Sequence, residues 1–226
     1  MSGEPSPNTA AAVAVRRRAG LIGGLRKLAD GPAGRPSAPG DGGPARDGES
    51  CDLCGTSVPD DHRHLLQLDE RRIDCACEAC WAMRAGDSAY RPVGTRTAWL
   101  PDLDLSEERW ASFAIPIGLA FFMRSSVAGV VGLYPSPAGA TESELDLASW
   151  DALIEDNPAL GDLEPDVEGL IVNRLADPRQ YAVAPIDQCY MLVGLVKSSW
   201  EGISGGTGLE RAIAGFFDGL REKAQA

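Results

Sequence analysis

The sequence predicts an α+β protein: a small metal module followed by an α+β domain built on a β-hairpin and several helices. Three observations lead there. Five cysteines crowd into "CDLC" and "CACEAC" (Cys51, Cys54, Cys75, Cys77 and Cys80). The runs "IPIGLAFFMR" and "VAGVVGLYP" are apolar and β-rich, and "DQCYMLVGLVKSSW" spaces its apolar residues at helical intervals. A chain of 226 residues accommodates one good core plus a small appended module. The expected division is a basic N-terminal segment and flexible linker over 1–48, a zinc-ribbon or rubredoxin-like module over 49–94, and the α+β domain over 95–226.

Residues 10–29 read as a short basic helix with Leu21, Leu25 and Leu28 on one side. It is either a docking helix for an acidic partner or membrane surface, or a frayed terminal segment. In "VRRRAGLIGGLRKLAD", Arg26 and Lys27 interrupt the apolar run after about seven residues, short of an export signal and far short of a membrane span. The expectation is a cytoplasmic protein without a membrane span, in which clustered thiols serve as metal ligands rather than disulfides. Residues 31–50 hold six glycines and four prolines and read as linker.

"CDLCG" has the form of a knuckle, in which two thiolates two residues apart grip one metal while Gly55 frees the backbone after the second ligand. "HLLQL" and "RRIDCAC" flank a charged corner and pair as a hairpin that returns the chain to the first knuckle. Within "CACEAC" only Cys77 and Cys80 repeat the two-residue gap, so Cys51, Cys54, Cys77 and Cys80 are the expected ligands. Cys75, on the same strand face as Cys77 and Ile73, is a spare or alternate ligand. His62 and His64, spaced as strand neighbours, are the other candidates. Zinc suits a closed four-sulfur site, a single iron has the same ligand geometry, and an iron–sulfur cluster is a third reading. About forty-five residues cannot bury a large core, and a structural metal supplies on the order of 10 kcal/mol toward folding such a module.

From Thr95 onward, "YPSPAGATESELDLASWDALIEDNP" predicts a proline-rich turn and then a helix, with Thr141 and Glu144 at capping-box spacing. "VEGLIVNRL" and "QYAVAPI" read as two further strands. Cys189, Leu192, Val193, Val196 and Trp200 share a packed helix face, which makes Cys189 a small buried hydrophobe. A last amphipathic helix covers about Leu209 to Lys223. Both histidines lie in the metal module, so a Ser-His or Cys-His pair in the main domain is unavailable. "GISGGTG" lacks the lysine of a phosphate loop. Asp166, Glu168 and Asp187 read as solvated or capping positions. The expectation is a protein that is not an enzyme.

The net charge is −12, and residues 51–226 carry fourteen basic and twenty-eight acidic residues, leaving the folded part near −14. An acidic body without a basic stripe argues against nucleic acid, whose binding draws its affinity from neutralised phosphates.

The strings "CDLCG", "DHRHLL", "CACEAC", "IPIGLAFF", "YPSPAGATES", "NPALGDLEPDVEGL" and "PIDQCYMLVGLV" together resemble an uncharacterised bacterial family of about this length, over residues 50–222. Members of that family are typically encoded beside uptake [NiFe] hydrogenases. The resemblance therefore implies an accessory role in making or maintaining that enzyme, with a hydrogenase subunit or maturation factor as partner and the ribbon and hairpin face as contact surfaces. It carries over no catalytic residues. The competing expectations are a rubredoxin-like one-electron carrier with iron at the same four cysteines, and a zinc-stabilised scaffold with an unrelated partner.

Overall fold

A computed structural model describes residues 49–226 apart from 71, 144 and 201–205; the expected basic helix and linker lie outside the described residues. "RHLLQ" and "RIDCA" carry adjacent buried residues, Leu65 with Leu66 and Ile73 with Asp74, so both faces of these strands are partly covered. They form β1 (Arg63–Gln67) and β2 (Arg72–Ala76), antiparallel, with His64 opposite Cys75 and Leu66 opposite Ile73. Helix α1 (Glu78–Arg84) follows at once, and β3 (Tyr90–Pro92) pairs with the free edge of β1 to give a three-stranded sheet of order β2-β1-β3.

The rest of the chain builds a six-stranded, wholly antiparallel sheet. Its strands are β4 (Ala98–Trp99), β5 (Leu119–Ser125), β6 (Gly129–Ser136), β7 (Gly139–Glu142), β8 (Glu168–Asn173) and β9 (Gln180–Pro185), in the order β4-β9-β8-β5-β6-β7. The expected hairpin is β5–β6, with Phe121 opposite Leu133. Successive residues of β5 serve two cores: Leu119, Phe121 and Met123 point to one face, Ala120 and Phe122 to the other. On the Phe122 face, α2 (Glu107–Ser112) and α3 (Leu147–Asp156) bring Trp150 and Leu153 against Phe113, Leu170 and Val183. The opposite face is covered by α4 (Ile186–Ser199) and α5 (Gly206–Lys223). Here α4 buries Cys189, Leu192, Val193 and Val196, four of the five residues expected on its packed side; the fifth, Trp200, caps the helix end and is partly buried against the same core.

Leu66, Ile73 and Val93 of the small sheet belong to this same apolar cluster. Arg91 donates to the Pro165 carbonyl at 2.8 Å and Arg96 to Glu168 at 2.8 Å. The small sheet thus has little core of its own and borrows that of the large one.

Three expectations need correction. Thr141 caps no helix: it pairs with Tyr134 in the β6–β7 ladder, and its hydroxyl donates to Ser136. The chain makes a third antiparallel strand first, and α3 starts at Leu147, capped by Asp146, which accepts from the Ser149 amide at 3.2 Å. Asp166 and Glu168 are not solvated; they are buried, Asp166 accepting from the Ser126 amide and Glu168 from Arg96 and the Glu164 amide. Within the β5–β6 hairpin β5 offers no open face, because it is hydrogen-bonded on both edges and buried on both sides, and β6 leaves only Val130, Tyr134 and Ser136 half-buried beyond its exposed first residue. Solvent is left the hairpin turn, where Val127 is exposed.

Candidate metal centre

The first cysteine pair is held by a turn that its own backbone closes. The Gly55 amide donates to the Cys51 carbonyl at 2.8 Å, the Cys51 amide to Thr56 at 2.8 Å, and the Val58 amide to Glu49 at 3.0 Å. Gly55 sits at φ +76°, a left-handed conformation that glycine adopts without a side-chain clash. The second pair lies where β2 gives way to helix: Cys77 occupies the N-cap of α1 and Cys80 its first turn, with the Trp81 amide donating to Cys77 at 2.9 Å. Asp52 ties the two halves together, its amide donating to the Cys75 carbonyl and its carboxylate accepting from the Cys75 amide, both at 2.8 Å.

This framework brings the sulfurs of Cys51, Cys54, Cys77 and Cys80 within 4.8 Å of one another. The Cys54 and Cys77 sulfurs are 3.8 Å apart. Zinc–sulfur bonds of about 2.3 Å in a tetrahedron imply sulfur–sulfur edges of about 3.8 Å, so the donor set and its spacing fit a metal such as zinc. Cys51 is buried, Cys77 and Cys80 are half-buried and Cys54 is exposed.

Proton affinity is unevenly shared among these thiols. Hydrogen bonds from the Thr56 side chain and backbone, then from Cys51 and Cys80, bring Cys54 down to about 6. Cys80, bonded to Cys54 and Cys77, is pushed up to about 12. One negative charge in so small a space opposes the next, so a cation must displace the remaining protons if all four are to become thiolates.

Cys75 does not join the four. It faces His64 across the β1–β2 ladder, and its sulfur lies within 4.8 Å of a ring nitrogen of each of His62 and His64, a separate cluster. Burial first, then the charges of Asp52, Glu49 and Asp74, push its thiol up to about 12. Sequence reasoning missed Asp187. It stands in the first turn of α4, and its carboxylate meets His64 Nδ1 at 2.9 Å. The pairing spans 123 positions and has no local signal; the one hint was that His62 and His64 are spaced as strand neighbours. Cys189 is fully buried, and burial raises its thiol well above the ordinary range, as befits a core residue.

The chain belongs to the family of unknown function DUF5947, whose profile matches residues 50–224. That span begins beside the first knuckle and ends one residue beyond α5, so the metal cluster and the large sheet fall within one family unit. No curated protein and no solved structure matches the chain. No helix among the described residues is long and apolar enough to cross a membrane.

Proposed function

We propose that this is a cytosolic metal-binding accessory protein, not an enzyme, in which Cys51, Cys54, Cys77 and Cys80 hold zinc in a ribbon-like module. Its task on this reading is to assist assembly or maintenance of a [NiFe] hydrogenase through contacts with a hydrogenase subunit or maturation factor. The observation that supports the metal is the convergence of four cysteine sulfurs, with one pair 3.8 Å apart, from two chain segments more than twenty residues apart. The hydrogenase connection rests on the resemblance in "CDLCG", "CACEAC" and "PIDQCYMLVGLV". An accessory role also agrees with the location of both histidines in the module, which leaves the large sheet without an imidazole base.

Deleting the gene tests the assignment: mature hydrogenase should fall in amount, while purified, already matured hydrogenase works without the protein. Normal accumulation of metal-loaded hydrogenase in the deletion strain would overturn it. A second reading, a one-electron carrier with iron at the four cysteines, is favoured by the exposure of Cys54, which gives a redox partner access to a ligand sulfur. Protein purified without added metal is colourless with zinc and red with iron–thiolate.

A further inference from the structure

We propose that His62, His64 and Cys75 form a second metal site, distinct from the four-sulfur centre, that takes a divalent transition-metal ion such as zinc through two imidazole nitrogens and one thiolate. Three observations converge on it. His64 and Cys75 face each other across the β1–β2 pair, His62 immediately precedes β1, and one ligand atom from each falls within 4.8 Å of the others. Zinc–nitrogen bonds of about 2.0–2.1 Å and a zinc–sulfur bond of about 2.3 Å set edges of roughly 3.3–3.6 Å, so side-chain rotations of about an ångström close the site.

Both imidazoles, moreover, have the same nitrogen occupied. His62 Nδ1 lies 2.8 Å from the Pro59 carbonyl oxygen, and His64 Nδ1 lies 2.9 Å from the Asp187 carboxylate. Each acceptor fixes the tautomer with its proton on Nδ1, which leaves the lone pair on Nε2. Ligating histidines are held in this way by a carbonyl or carboxylate behind the ring.

The third observation is an unmet bond. The His62 side chain is 4% exposed, yet its Nε2 has no hydrogen-bond partner. A buried acceptor without a partner is destabilising, and a cation between the rings satisfies it. The rings stand edge to face with centroids 4.6 Å apart, so neither nitrogen is blocked by a stacked face. The carboxylates of Asp52, bonded to the Cys75 amide, and Asp187, bonded to His64, lend the surroundings negative charge.

Three protein ligands leave a fourth position for water or an incoming group, the arrangement of exchangeable and reactive sites rather than of closed structural ones. Binding displaces the Cys75 thiol proton to solvent and involves no change in oxidation state.

The test is metal stoichiometry on the whole chain, with zinc and then cobalt as probes and a chromophoric chelator as competitor. Unaltered protein should bind two ions, the second at least tenfold more weakly. His62→Ala, His64→Ala and Cys75→Ser should each bind one, the retained tight ion and an unchanged far-ultraviolet circular dichroism spectrum showing that the module still folds. Asp187→Asn should keep both sites and weaken the second ion about 10–100-fold. The second cobalt ion should show a single-thiolate charge-transfer band. Saturation of unaltered protein at one ion that survives all three substitutions would overturn the site. So would loss of the tight ion in Cys75→Ser, which would place Cys75 in the four-sulfur centre instead. Loss of the tight ion in Cys51→Ser with the weaker one kept would support two separate sites.

Discussion

Removing the metal from the four-sulfur centre should unfold part of the small module and leave the rest standing. Helix α1 has only seven residues and buries none of them. A helix that short is unstable by itself in water. Its non-metal attachments among the described residues include the Arg63 guanidinium stacked 4.2 Å from the Trp81 ring centroid and the Arg63–Glu78 pair at 2.8 Å, both at the surface. Such contacts contribute no more than about 1 kcal/mol each. The strands are anchored differently. Leu66, Ile73 and Val93 are buried in the core shared with α4 and α5, and each such side chain contributes about 1.5–3 kcal/mol, hence roughly 5–9 kcal/mol together as an upper bound. A chelator, or Cys54→Ser, should therefore release residues 50–58 and 77–85 while β1 and β2 stay docked. Hydrogen exchange reads this directly: amides of the knuckles and α1 should lose protection by several orders of magnitude, and those of Leu65, Leu66 and Ile73 should change little. If β1 and β2 lose protection together with α1, the module folds as an independent zinc-dependent unit and the shared core is not what holds it. If α1 keeps its protection without metal, the metal does not order the helix.

Other parts of the molecule make equally direct predictions. Gly169→Ala puts a methyl group 2.8 Å from the Cys189 sulfur and 3.1 Å from the Phe122 carbonyl oxygen; it should destabilise the protein by about 1–3 kcal/mol in urea unfolding, and an unchanged midpoint would show that α4 can shift away from β8. Asn157→Ala removes the side chain that accepts from the Asp104 amide at 2.8 Å and donates to the Asp104 and Leu153 carbonyls at 2.9 Å; a loss of about 1–3 kcal/mol is expected, and near-neutrality would mean that water replaces all three bonds. In metal-free protein a thiol reagent should modify Cys54 first, because it is an exposed thiol in a knuckle that the metal no longer holds. Cys189 should react last, and early labelling of Cys189 on peptide mapping would contradict its burial.

Much of this architecture was legible because it is local. The β5–β6 hairpin, β8, β9 and the packed face of α4 each announce themselves in runs of five to ten residues, and the structure has them at Leu119–Ser136, Glu168–Asn173, Gln180–Pro185 and Ile186–Ser199. Thr141 misled because capping-box spacing is a short pattern, and a third strand could use the same residues once β6 had turned back at Gly139. Matched two-residue gaps sufficed to pick Cys51, Cys54, Cys77 and Cys80 as the four that converge. What spacing could not convey was the docking of the small sheet on the large one. Asp166, Glu168 and Asp187 look like surface acids in the chain, and only that docking places Arg91, Arg96 and His64 beside them.

The same docking gives the two cysteine-bearing clusters different characters although both draw on one strand. Cys75 and Cys77 are two residues apart, but β2 ends between them: Cys75 is still in the ladder opposite His64, while Cys77 has turned to cap α1. The four-sulfur group is therefore built from two turns at the end of the sheet, with Cys54 open to solvent, and the His62–His64–Cys75 group lies between the sheet and α4, with Asp187 as its wall. Asp52 links them, since it belongs to the first knuckle and clasps the Cys75 backbone from both sides. A metal in the four-sulfur centre would fix that knuckle, and with it the Asp52 clasp, while Cys75 itself stays in the β1–β2 ladder either way. Occupancy of the first centre would therefore reach the second only through that clasp, and the coupling between them should be small. The coupling free energy must be equal in both directions, so an ion in the histidine site, by holding Cys75 and through it Asp52, tightens the first knuckle by the same amount.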